Sequence, residues 1–165
     1  MSKSTPRSSS RSRFILLISA SFLAIFALVL AIHPGRSVQA VGSSTIVISE
    51  FRTRGPNGAA DEFVELYNVS NSAVDISGWK INGSNNAAGI STRVTIAAST
   101  TIPAHGHFLA TNSSASGGPY SGSVPGNQTF ATGITDDGGI ALLTSANVVI
   151  DQVGMSTGSA YKEGT

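Results

Sequence analysis

A β-sandwich preceded by an apolar N-terminal segment is the fold class that this 165-residue sequence predicts. From Val41 onward the chain breaks into short runs rich in Val, Ile, Thr, Phe and Tyr, separated by Gly, Asn, Ser and Pro, which is the pattern of an all-β domain. No stretch after Val41 carries helical periodicity. Before it, residues 14–32 run for nineteen positions without a charge, behind a Ser-rich stretch that holds Lys3, Arg7, Arg11 and Arg13.

That first element predicts a membrane-seeking helix in an export signal. His33-Pro34-Gly35 breaks the helix, and Val38-Gln39-Ala40 sets small or modest residues at the −3 and −1 positions of a signal-peptidase site, so cleavage is expected between Ala40 and Val41. The competing expectation is an uncleaved anchor, because the apolar run approaches the ~20 residues that span a bilayer. In both cases the basic flank stays inside and residues 41–165 are delivered outside. The two domains expected are therefore a signal or anchor over 1–40 and a sandwich over 41–165, since the length holds one ordinary domain beside a targeting segment.

Within the exported part, strands are expected at 45–51, 62–68, 78–82, 92–97, 107–111, 128–131, 140–144 and 148–153, a number that suits a sandwich. Arg54-Gly55-Pro56-Asn57-Gly58, Asn82-Gly83-Ser84-Asn85-Asn86 and Asp136-Asp137-Gly138-Gly139 supply turn residues between them. The longest connection, 112–127, is rich in Ser, Gly and Pro and reads as a mobile surface excursion. Alternation puts Val64 and Leu66 on one face of their strand and Phe63, Glu65 and Tyr67 on the other, and one of those faces is core. Trp79, the single tryptophan, is expected as a core anchor.

Charge and cysteine content narrow the function classes. The five basic residues before Val41 face no acidic ones, whereas the five basic and nine acidic residues after it leave a net charge of −4. An acidic domain is poorly equipped to neutralise phosphates, which argues against nucleic acid as a partner. The absence of cysteine excludes disulfides, thiolate metal sites and a cysteine nucleophile. An exported domain without cysteine fits a bacterial surface protein better than a small secreted eukaryotic one.

The run Ile48-Ser49-Glu50-Phe51, a Gly-rich turn, Asp61-Glu62-Phe63-Val64-Glu65-Leu66-Tyr67-Asn68 and then Val74-Asp75-Ile76-Ser77-Gly78-Trp79-Lys80-Ile81 resembles, in order and spacing, the lamin tail domain. Further along, Ile102-Pro103-Ala104-His105-Gly106-His107-Phe108 is similar to that family's turn before a strand, and Asp137-Gly138-Gly139-Ile140-Ala141-Leu142-Leu143 with Val149-Ile150-Asp151-Gln152-Val153 to its closing hairpin. The resemblance covers 45–153 and implies an immunoglobulin-like sandwich whose core motif is Phe51, Phe63, Leu66, Gly78 and Trp79. It also implies a non-catalytic adhesion or interaction module, with an unknown protein or surface polymer as partner and the membrane engaged through the N-terminal segment if uncleaved. The family usually continues past a segment like 160–165, so a fragment of a longer surface protein is one expectation. Alternative expectations are an accessory domain of a longer exported nuclease or phosphatase, and a DNA-binding module.

Catalytic chemistry finds few candidates. His105 and His107 flank a turn glycine with no nucleophile-elbow context around the nearby serines, and read as turn histidines. Asp61, Glu62, Glu65 and Glu50 cluster, but Glu62 and Glu65 stand three apart in an expected strand and so point to opposite faces. Their expected role is surface solubility or pairing with Arg52 and Arg54; a basic patch of these two with Lys80 and Arg93 is the only charge pattern that favours DNA. Asp136 and Asp137 are the best metal candidates, for Ca²⁺, although they lack the spaced carboxylates of a calcium loop, and a plain hairpin turn is the stronger reading. Sequons at Asn68, Asn112 and Asn127 matter only in a eukaryotic secretory route.

Overall fold

The computed structural model describes residues 45–163, and none of them is helical. The expected signal or anchor helix and the Ala40–Val41 junction lie outside the described residues.

Ten strands form two four-stranded sheets and a short ribbon. The first sheet runs β1 (Ile46–Arg52), β2 (Phe63–Asn68), β7 (His107–Asn112) and β8 (Gln128–Phe130), with β7 and β8 parallel and the other pairs antiparallel. The second runs β10 (Val149–Gly154), β9 (Gly139–Leu143), β4 (Lys80–Ser84) and β5 (Ile90–Thr95), all antiparallel. The ribbon pairs β3 (Val74–Asp75) with β6 (Thr101–Ile102), two elements absent from the sequence-based expectation because two residues offer no alternation to read.

Between the sheets lies one core. Ile46, Val64, Leu66, Phe108, Ala110 and Phe130 enter from the first sheet and Ile81, Val94, Ile140 and Leu142 from the second; Ile76, Ile96, Ile102 and Ile134 seal the ends. Phe51 and Trp79 are half-buried against it. Trp79 follows Gly78, whose φ of +72° closes a turn in which the Trp79 N–H donates to the Ile76 carbonyl at 3.0 Å. Glycine takes that left-handed position without steric penalty. Phe63 departs from the expected core motif. The alternation that buries Val64 and Leu66 turns Phe63 to the outer face, where its ring meets Tyr120 edge-on at 5.9 Å.

Two β-bulges shape the edges. In β1 the register shifts between Ile48 and Glu50, so Ile46, Ile48 and Phe51 all reach the core although their spacing is not even. In β10 the shift between Val149 and Asp151 does the same for Ile150 and Val153. Side chains then close both open seams of the sandwich. The Ile48 N–H of β1 donates to Asp151 Oδ2 of β10 at 2.7 Å, while Gln128 of β8 accepts from the Ala97 N–H and donates to the Thr95 carbonyl at the end of β5.

After β10 the chain folds back over the outer face of the second sheet. Tyr161 covers Ala141 and Leu143, its hydroxyl accepts from Asn82 Nδ2 at 3.1 Å, and the Ala160 N–H donates to Ser84 Oγ.

Candidate functional site

At one end of the sandwich two adjacent carboxylates are buried instead of solvated. Asp61 is fully buried and accepts from the Asn57 N–H, the Ser121 N–H and hydroxyl, and the Arg52 guanidinium, whose Nε also donates to the Asp61 carbonyl oxygen. Burial pushes the Asp61 carboxyl up, but the Ser121 and Asn57 donors and Arg52 together outweigh it and hold it below the usual aspartate value. Glu62, also buried, accepts from Asn112 Nδ2 at 2.7 Å and the Ile134 N–H at 2.9 Å. Here burial prevails, so its carboxyl sits above the usual glutamate value. The expected surface role is thereby corrected for Asp61 and Glu62, while the expected pairing with Arg52 is found at Asp61; Glu62 precedes β2 and ties β7 to the 131–138 loop, and Arg54 pairs with Asp136 outside the cluster.

The same bonds tie down the 112–127 connection that was expected to be a free excursion. Ser121 is fixed to Asp61, the Tyr120 N–H donates to the Asn112 carbonyl, and Asn57 Nδ2 donates to the Pro119 carbonyl. Beside this node lies a small cleft of about 270 Å³ lined by Ala59, Asn112, Ser114, Ser116 and Gly133 among others. Sequence reasoning missed Asn112 and its counterpart Asn68, whose amide donates to the carbonyls of Ser72, Ile102 and Pro103. A signal existed, because alternation from Val64 and Leu66 puts residue 68 on the core face and a buried amide must be bonded. Their burial also removes both side chains from the surface as sequons.

Three of the four basic residues of the expected patch are taken up by other side chains. Arg52 serves Asp61, Arg54 serves Asp136, Lys80 donates to Asn147 Oδ1 at 2.7 Å, and Arg93 is half-buried in the field of Glu62. Asp136 is held below the usual aspartate value by the Arg54 hydrogen bond, which engages one of the two calcium candidates. Asp137 is exposed beside it, and no group of three metal-ligating side chains forms among the described residues.

The outer face of the first sheet carries a further set of half-buried and exposed side chains. Cross-strand partners place Arg52, Phe63 and Thr111 in one row, Glu50, Glu65 and Leu109 in the next, and Val47, Tyr67 and His107 in a third. The Arg52 guanidinium lies 5.2 Å from the Phe63 ring centre and 5.5 Å from that of Tyr120. The Tyr67 ring stands 4.7 Å from His107, and His107 Nδ1 is 3.1 Å from Glu65 Oε1. His105 sits at a φ of +55°, within 3.4 Å of the Tyr67 hydroxyl and 2.9 Å of Asn71 Oδ1. Both histidines thus serve the aromatic face rather than a serine.

The lamin tail domain family matches residues 39–157, and no curated protein matches the chain. With two packed sheets, a closing hairpin and the Gly78–Trp79 turn at the positions the resemblance implied, the chain belongs to the lamin tail domain family, whose immunoglobulin-like modules are non-catalytic and serve interaction.

Proposed function

We propose that this protein is an exported, non-catalytic adhesion or interaction module that holds a protein or surface polymer through the outer face of its first sheet. The observation that carries the reading is the contrast between surfaces. The loop end is consumed by the Asp61 and Glu62 bonds, Asp151 bridges the β1–β10 seam, and Tyr161 lies over β9 of the second sheet. The β1-β2-β7 face keeps half-buried aromatic rings on rigid strands. Side chains so held lose little entropy on binding.

Export rests on the basic and apolar residues 1–40. In fractionated cells the protein is expected outside the cytoplasm with Val41 at its N-terminus; an intact N-terminus in the membrane fraction makes the segment an anchor, and a cytoplasmic protein defeats the export reading. For the face, the full chain is mixed with envelope fragments of the producing cell and the retained fraction measured. Tyr67→Ala is expected to weaken retention roughly tenfold, the range of a truncated aromatic anchor. Equal retention of wild type and variant would remove the face from the mechanism.

A further inference from the structure

The middle row of that face holds an arrangement that folding alone does not favour. Glu50 and Glu65 are direct cross-strand partners, and like charges in that position repel. Glu65 has help from Ser49 Oγ at 2.7 Å and from His107. Glu50 is exposed and makes no ion pair among the described residues. The β1 bulge creates the pairing: without the shift after Ile48, regular alternation would turn Glu50 to the core side, and the extra residue re-aims it outward opposite Glu65. Beyond the two carboxylates stand Phe63 on one side and Tyr67 with His107 on the other, and Leu109 and Val47 add half-buried apolar surface.

We infer that this face docks a lysine- or arginine-bearing protein segment, with its cationic side chain over Glu50 and Glu65 and the flanking rings packed on its stem. This deepens the proposed function and rests on it. Charge complementarity selects the cation: a bound ammonium or guanidinium relieves the Glu50–Glu65 repulsion, and aromatic rings favour cations over their faces. The apolar positions on either side select a peptide, whose neighbouring side chains can fill them.

The test uses the full chain and a short labelled peptide alternating lysine with valine, a matched glutamate–valine peptide, and chitosan oligomers as a non-peptide amine. The lysine peptide is expected to bind, the glutamate peptide not to, and binding to weaken as salt rises. Glu50→Gln and Glu65→Gln should each weaken it about two- to fivefold, whereas Asp137→Asn, an exposed acid elsewhere, leaves it unchanged. Glu50→Gln should also raise the denaturant midpoint, since it removes the repulsion. No peptide binding, or equal loss in Asp137→Asn, overturns the inference; chitosan bound in preference to the peptide overturns the protein partner. If the peptide fails but envelope retention still depends on Tyr67, the interaction face stands and only its cationic partner falls.

Discussion

Asp61 and Glu62 are neighbours in sequence, both buried, and yet move in opposite directions from their ordinary acidities, because acceptor sites are filled unequally. Asp61 takes four donors including a guanidinium, whereas Glu62 takes two neutral ones. The consequence is a pH dependence of definite sign. Glu62 holds its proton more tightly folded than unfolded, so the stability it lends is fully present below its ordinary value of 4.5 and is lost as pH rises through the raised value. Asp61, Asp75 and Asp136 are shifted down from 3.8, so their contribution is present above that value and lost on further acidification. Glu62→Gln should therefore flatten the decline on the side above 4.5 while leaving the acid limb in place. It should also lower the plateau by about 1–3 kcal/mol, because one acceptor becomes a donor facing donors. Urea midpoints of both proteins between about pH 4 and pH 8 check this; parallel curves would mean that Glu62 does not titrate in that range.

Among elements, the segment after β10 shows how much of a fold can depend on what is missing from a side chain. A methyl group on Gly154 would stand 2.6 Å from the Tyr161 carbonyl oxygen, and one on Gly139 2.8 Å from the same atom. The returning chain lies flat against the second sheet because neither is there. Gly154→Ala should lift it at a cost of about 1–3 kcal/mol, and hydrogen exchange at the Ala160 N–H, bonded to Ser84 Oγ, should quicken. Unchanged exchange there would mean that the segment accommodates the methyl group. Sequence periodicity could not announce this segment, since irregular backbone has no period. The main strands were legible because Val64, Leu66, Ile140 and Leu142 alternate with outward residues, whereas the β1 bulge between Ile48 and Phe51 shows only in the pairing register. The candidate face was half legible: Phe63, Glu65 and Tyr67 stood on one side from the outset, but their outward direction and the Glu50–Glu65 pairing depend on register. Asp61 and Glu62 read as surface residues because acids usually are, and donors distant in sequence, Ser121 for Asp61 and Asn112 and Ile134 for Glu62, help to offset their burial.

At the scale of the whole domain, a sandwich of two four-stranded sheets has four edges, and exposed edges invite pairing with other chains. Here β1 lies along β10 and β5 along β8, each seam joined by one side chain that bonds to backbone: Asp151 to the Ile48 N–H, and Gln128 to Ala97 and Thr95. The two differ in weight. Asp151 offers a charged acceptor in a half-buried setting, so Asp151→Ala leaves a backbone donor poorly solvated and should cost about 2 kcal/mol; Gln128→Ala breaks two exposed bonds and should cost about 1 kcal/mol. Because they close opposite seams and share no partner, the double variant should lose about the sum. Their effects on association should diverge. Opening the β1–β10 seam frees a seven-residue strand, long enough to template another chain, whereas Gln128 meets β5 only at its last residue, Thr95, and its own strand β8 has three residues, so its loss bares little new edge. Sedimentation of the full chain at rising concentration should show self-association in Asp151→Ala and none in Gln128→Ala. Association in both would place the protection in the sandwich's overall stability, and association in neither would show that the β1 bulge guards that edge without Asp151.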